Sequence, residues 1–150
     1  MPEARAQVLL AFDFGLRRIG IASGDTLSRR AAPLCAVVVG TAGVDWSAID
    51  RLLLQYLPDA LIVGRPCHAD GSPARMSAAA DGFAEQLAVR SGRRVYRTDE
   101  FASSLEASER LRDQRHSGQR RRRVQRSDID STAAAIILER WLAGEGCAHD

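Results

Sequence analysis

Leu9-Leu10-Ala11-Phe12-Asp13-Phe14-Gly15, continued by Arg18-Ile19-Gly20-Ile21-Ala22, is the stretch whose reading decides the fold. Such an apolar run reads as a buried strand, and it closes on a single carboxylate, Asp13. A lone carboxylate at the end of a buried strand is costly unless a partner or a cation offsets its charge. Gly15 lets the backbone turn sharply. The alternation from Arg18 to Ala22 predicts a second strand returning beside the first. Taken alone, this is an ordinary hairpin with Asp13 as a local hydrogen-bond acceptor. Its meaning depends on whether other acids arrive at the same place.

Working outward, Pro33 to Val39 predicts a third strand, β-branched at Val37-Val38-Val39. Asp45 is placed to cap a helix from Trp46 to Tyr56, whose Trp46, Ile49, Leu53 and Tyr56 share one face. Ala60 to Val63 predicts a short apolar strand ending in Gly64-Arg65-Pro66, followed by a Gly/Pro/Asp loop from His68 to Pro73. An alanine-rich helix spans Ala74 to Arg90 and stops near Ser91-Gly92. Arg94 to Thr98 predicts a fifth strand, ending at Asp99-Glu100. Ser103-x-x-Glu106 is a capping box that opens a helix to about Arg112. His116 to Ser127 reads as a basic loop, and Asp128 to Ala143 as the last helix. Met1 to Gln7 and Gly144 to Asp150 read as a lead-in and a tail.

The first three strands are joined by connections too short for a parallel crossover, so they are expected to be antiparallel. The later strands alternate with helices, which predicts parallel, buried strands. The expectation is one α/β domain over residues 1–150 with a core at about 8–143. Its sheet has five strands in mixed directions, the first three antiparallel, with helices on both faces. That topology is ribonuclease H-like.

The chain has 150 residues, a hydrophobic content of 45% and a formal net charge of +2, too small to name a partner. Distribution says more. There is no lysine, so all 21 basic residues are arginines, and they cluster between Arg115 and Arg126. Arginine's planar, permanently charged fork suits phosphate. Cys35, Cys67 and Cys147 are widely spaced and show no zinc pattern. No basic-then-apolar leader and no membrane-length apolar run are present, so the expected location is cytoplasmic, with no membrane partner.

Three acids fall at element ends that face one side of such a sheet. Asp13 closes the first strand, Glu100 follows the fifth, and Asp130 lies in the first turn of the last helix. Asp130, Ala133, Ala134, Ile137 and Trp141 share a helical face, so Asp130 heads the stripe that packs on the sheet. Singly, each has a plain reading: Asp13 in a turn, Glu100 beside an arginine, Asp130 as a cap. Together, converging carboxylates repel one another, and a divalent cation resolves the repulsion. Hard oxygen ligands suit Mg²⁺ or Mn²⁺. Two such ions would activate water and stabilise the leaving oxygen of a phosphodiester displacement.

Four segments then resemble a known family. They are Leu10-Ala11-Phe12-Asp13-Phe14-Gly15 with Arg18-Ile19-Gly20; Ile62-Val63-Gly64-x-Pro66 with Asp70-Gly71; Asp99-Glu100; and Asp130-Ser131-x-Ala133-Ala134-x-Ile136-Ile137-Leu138. In this order they resemble the YqgF family, described as pre-16S rRNA nucleases and as Holliday-junction-resolvase-like proteins. The similarity runs from about Val8 to Leu142. It implies a metal-dependent nuclease that matures the 5′ end of 16S rRNA. It also implies that the family's acidic positions fall on Asp13, Glu100 and Asp130, as catalytic residues and metal ligands. Phe101 departs from the family, which usually has Arg there, and the loop before Asp130 is richer in arginine than usual. Arg18, Arg65, Arg120, Arg121, Arg122, Arg123 and Arg126 are the arginines expected to contact nucleic acid.

The expected partner is pre-16S rRNA or another structured nucleic acid, with the chain a monomer or weak homodimer. Alternatives are a resolvase of branched DNA, which needs a two-fold dimer, and a non-catalytic RNA-binding assembly factor. A nucleotide-binding module also opens with Asp-x-Gly, but it needs a second lobe for which 150 residues leave no room.

Overall fold

A computed structural model of the chain describes residues 6–66, 77–100, 103–118, 124–144 and 148–149. The strands are β1 (Val8–Asp13), β2 (Arg18–Asp25), β3 (Ala31–Gly40), β4 (Gly43–Val44), β5 (Ala60–Pro66), β6 (Arg94–Glu100) and β7 (Ala148–His149). The helices are α1 (Trp46–Tyr56), α2 (Ser77–Ser91), α3 (Ser103–His116) and α4 (Arg126–Leu142). The strands form one sheet in the order β4-β3-β2-β1-β5-β6-β7. β1, β2 and β3 pair antiparallel, whereas β5 joins β1, and β6 joins β5, in parallel.

The expected ribonuclease H-like mixed sheet is therefore present, but its strand count is higher than five. The additions are two-residue strands at the edges. Gly43, at φ +104°, turns the chain so that Val39 and Gly40 pair with Val44 and Gly43. At the other edge Thr98 and Arg97 pair with Ala148 and His149, so part of the expected tail covers the exposed side of β6. The third helix also runs on to His116, past the expected end near Arg112. Gly118 at φ +82° provides the stop.

Helices cover both faces. α1 and α2 lie on one, where Leu10, Phe12, Ile19, Ile21, Leu61 and Val63 meet Ile49, Leu53, Phe83 and Leu87. Phe83 is the hub: its ring lies 5.8 Å from Phe12, 5.3 Å from Phe14 and 5.4 Å from Trp46 between centroids. Asp45 accepts from the Ala48 N–H and caps α1, as its position predicts. Cys35 is a free thiol packed at the rim of this cluster, and partial burial pushes its pKa up.

α4 lies on the other face. There Leu9, Ala11 and Ile62 meet Ile137 and Leu138, and Ala22 meets Ala134 and Ala135. Every residue from Ser131 to Leu138 is buried, which a one-sided stripe does not explain. α3 supplies the reason, packing Ala107 against Ala133 and Ile136 on the side of α4 away from the sheet. Arg110 clamps Glu139 across this helix pair with two N–H···O bonds of 3.0 Å each, and Arg140 bonds Glu106. The Arg110–Glu139 contact raises the arginine's pKa further. No helix among the described residues is long and apolar enough to cross a membrane.

Candidate functional site

Asp13 ends β1, opposite Gly20 of β2 and beside Gly64 of β5. Gly64 adjoins Thr98, and two residues on Pro66 adjoins Glu100, so the carboxyl ends of β1, β5 and β6 come together. Strand residues alternate between faces. Leu9 and Ala11 lie on the α4 face, and Asp13 continues that series. Tyr96 of β6 packs against the same cluster.

Gly20 brings Asp130 to this place. A Cβ at Gly20 would lie 1.9 Å from the Asp130 carbonyl oxygen and 2.9 Å from the Ser131 nitrogen. Those are impossible distances, so only glycine lets α4, which begins at Arg126 rather than the expected Asp128 and so carries Asp130 in its second turn, rest on the β2 backbone. The residue across the ladder from Gly20 is Asp13. Asp128, not Asp130, serves the helix terminus, accepting from the Gln125 N–H at 2.8 Å. Asp130 is thereby released from the capping role that its position alone allows.

Arg18, the first residue of β2, donates its Nε–H to Asp130 Oδ2 at 2.6 Å. Both side chains are partly buried, with 31% and 21% exposed. Among the described residues, Asp130 Oδ1 and the terminal nitrogens of Arg18 have no partner. Nothing in the sequence signals this pair, whose members are 112 positions apart.

The other expected arginines fall elsewhere. Arg65 projects on the α2 face, where its Nε donates to Asp81 at 3.1 Å and Arg97 approaches the same carboxylate at 3.4 Å. The structure thus does not bring Arg65 to the face of Asp13. Arg126 is the exposed first residue of α4. Arg120, Arg121, Arg122, Arg123, Phe101 and the Asp70-Gly71 motif lie outside the described residues, and Glu100 is described by backbone position alone. Among the described side chains, no group of three His, Cys, Asp or Glu is arranged to hold a metal ion; Asp13 and Asp130 are the acids that the backbone brings together there.

A mixed sheet of this order, with helices on both faces and acids at the carboxyl ends of its central strands, defines the class as ribonuclease H-like. Solved structures agree on the fold. A Thermus thermophilus RuvC bound to a Holliday junction substrate superposes with a TM-score of 0.55 at 16% identity, covering 95% of this chain and 99% of that one. The yeast mitochondrial Holliday junction resolvase Ydc2 gives 0.54 at 10% identity, over 91% of this chain and 78% of that one. Residues 7–144 match the family model described as RuvX, Holliday junction resolvase. A protein of Azotobacter vinelandii named "Putative pre-16S rRNA nuclease" is 40% identical, over 91% of this chain and 94% of its own length. One of Xanthomonas oryzae with the same name is 43% identical, over 95% and 94%. The chain belongs to the RuvX (YqgF) family.

Proposed function

We propose that this chain is a divalent-metal-dependent nuclease that hydrolyses phosphodiester bonds and processes the 5′ end of pre-16S rRNA. The observation that carries the reading is the Gly20 contact, which sets Asp130 beside the strand pair that ends in Asp13. Family membership supplies the activity class. Asp13, Glu100 and Asp130 are the proposed catalytic residues and metal ligands. The donor set fits a hard cation: carboxylate oxygens at a half-open sheet end, with Asp130 Oδ1 unpartnered among the described residues. Bound Mg²⁺ or Mn²⁺ supplies activation of water and charge stabilisation of the leaving oxygen.

The chain's own part is to position. The β1–β2 hairpin and α4 hold two carboxylates on one face, and packed helices behind them resist their mutual repulsion. Arg18 and Arg126 are offered to phosphate on that side, with Arg120 to Arg123 following in sequence just before α4. Arg65 is committed to Asp81. The family description also favours a second reading, resolution of branched DNA.

Both readings are tested by incubating a 5′-extended 16S rRNA fragment and a four-way DNA junction side by side. Each is run with Mg²⁺, Mn²⁺ or EDTA, using the native chain and Asp13→Asn. The expected result is metal-dependent cutting of the RNA that falls by about 10²–10⁴-fold in Asp13→Asn, the range for losing a principal catalytic group. Cutting of the junction alone selects the resolvase reading. Binding of RNA without cutting selects an assembly factor.

A further inference from the structure

We propose that Arg18 is a built-in counter-cation for Asp130, one that yields to a phosphodiester so that nucleic acid and divalent cation load the site together. The inference rests on the reading of Asp13 and Asp130 as metal ligands. Arg18 sits on the same β2 face as Gly20 and Ala22, beside the second turn of α4, and its Nε–H is 2.6 Å from Asp130 Oδ2. An arginine does not lose its charge in a protein. In the metal-free chain it offsets the Asp130 carboxylate. Any divalent cation that approaches Asp130 must do so beside a fixed positive charge.

The cost is large enough to matter. Two positive charges, one of them double, repel strongly at a few ångströms in a partly buried site, and salt screens them little at that range. The repulsion weakens cation binding by on the order of tenfold or more. A phosphodiester removes it. The terminal nitrogens of Arg18 have no partner among the described residues, and the guanidinium fork fits phosphate oxygens. Once a phosphate engages that fork, its negative charge compensates Arg18 and Asp130 is open to the cation. Linkage then requires that the cation tighten nucleic-acid binding by the same factor. The device keeps the hydrolytic site unloaded until a substrate phosphate is in place.

The test is a Mn²⁺ titration of the full chain, read by the electron paramagnetic resonance of free Mn²⁺. It is run without RNA and with the 5′-extended 16S rRNA fragment, kept cold and checked for integrity on a gel. In the native chain RNA should tighten Mn²⁺ binding by about tenfold. Arg18→Gln should bind Mn²⁺ about tenfold more tightly without RNA and gain little more when RNA is added. Arg18→Lys, which keeps the charge, should stay close to the native chain. A damaged fold would weaken binding, so a gain of affinity is not a folding artefact. If Arg18→Gln binds Mn²⁺ no tighter than the native chain, or Arg18→Lys tightens equally, the proposal is overturned. Asp130→Asn separates the two levels. Unchanged Mn²⁺ binding in that variant removes the metal-site reading itself, and the present inference with it. Weakened binding there, with Arg18→Gln unaltered, leaves the metal site standing and rejects Arg18 alone.

Discussion

The two faces of the sheet are packed by opposite means. On the α1/α2 face, large rings fill space: Phe12, Phe14 and Trp46 surround Phe83. On the α4 face, small residues remove space: Gly20 and Ala22 of β2 lie under a helix carrying Ala134 and Ala135. Bulk on the first face buys stability and tolerates some repacking. Closeness on the second positions backbone, because a helix resting on a glycine has almost no freedom to slide. Asp13 and Asp130 are on the second face. The ion pairs of Arg65 and Arg97 with Asp81 are on the first.

Substitutions can break this contrast. The largest loss of stability is expected from Phe83→Ala, which empties the hub of the aromatic cluster at a cost of about 3–5 kcal/mol. Urea unfolding measures it, and the fraction that stays folded should cut RNA at the native rate. Gly20→Ala should cost less stability, about 1–3 kcal/mol for overpacking, yet should reduce cleavage far more. Its new methyl would displace Asp130 away from Asp13. Native cleavage rates in Gly20→Ala would show that the close approach is dispensable. Asp81→Asn should have the smallest effect, up to about 1 kcal/mol for partly exposed ion pairs. Because Arg65 and Arg97 belong to the stability face, the salt dependence of RNA binding should not change. A steeper slope in Asp81→Asn would mean that the released arginines reach phosphate.

Much of this was legible because it is local. Trp46 to Tyr56 came out with its residue bounds and its Asp45 cap because both signals lie within one helical turn of their targets. The end of β1 at Asp13 was legible because the apolar run that makes the strand stops at that carboxylate. The small edge strands were not legible, since two-residue ladders carry no periodicity of their own. Nor was the full burial of α4. Its sequence shows the stripe toward the sheet, while the covering of its outer side depends on where α3 lands. Arg65 and Arg18 were alike in the chain, each an arginine near a strand end expected to contact nucleic acid. Pleat parity sent one to α2 and the other to Asp130.

The sequence by itself determined the order and type of the larger elements and the mixed directions of the sheet. Those follow from hydrophobic period, caps and connection length, which act over a few residues. Only the tertiary structure decided that Gly20 is the seat of α4 and that Arg18 is the partner of Asp130. The first depends on a backbone approach between residues 20 and 130, and the second on which face the first residue of β2 presents. Contacts over such separations are set by the whole packed sheet, and no local pattern encodes them.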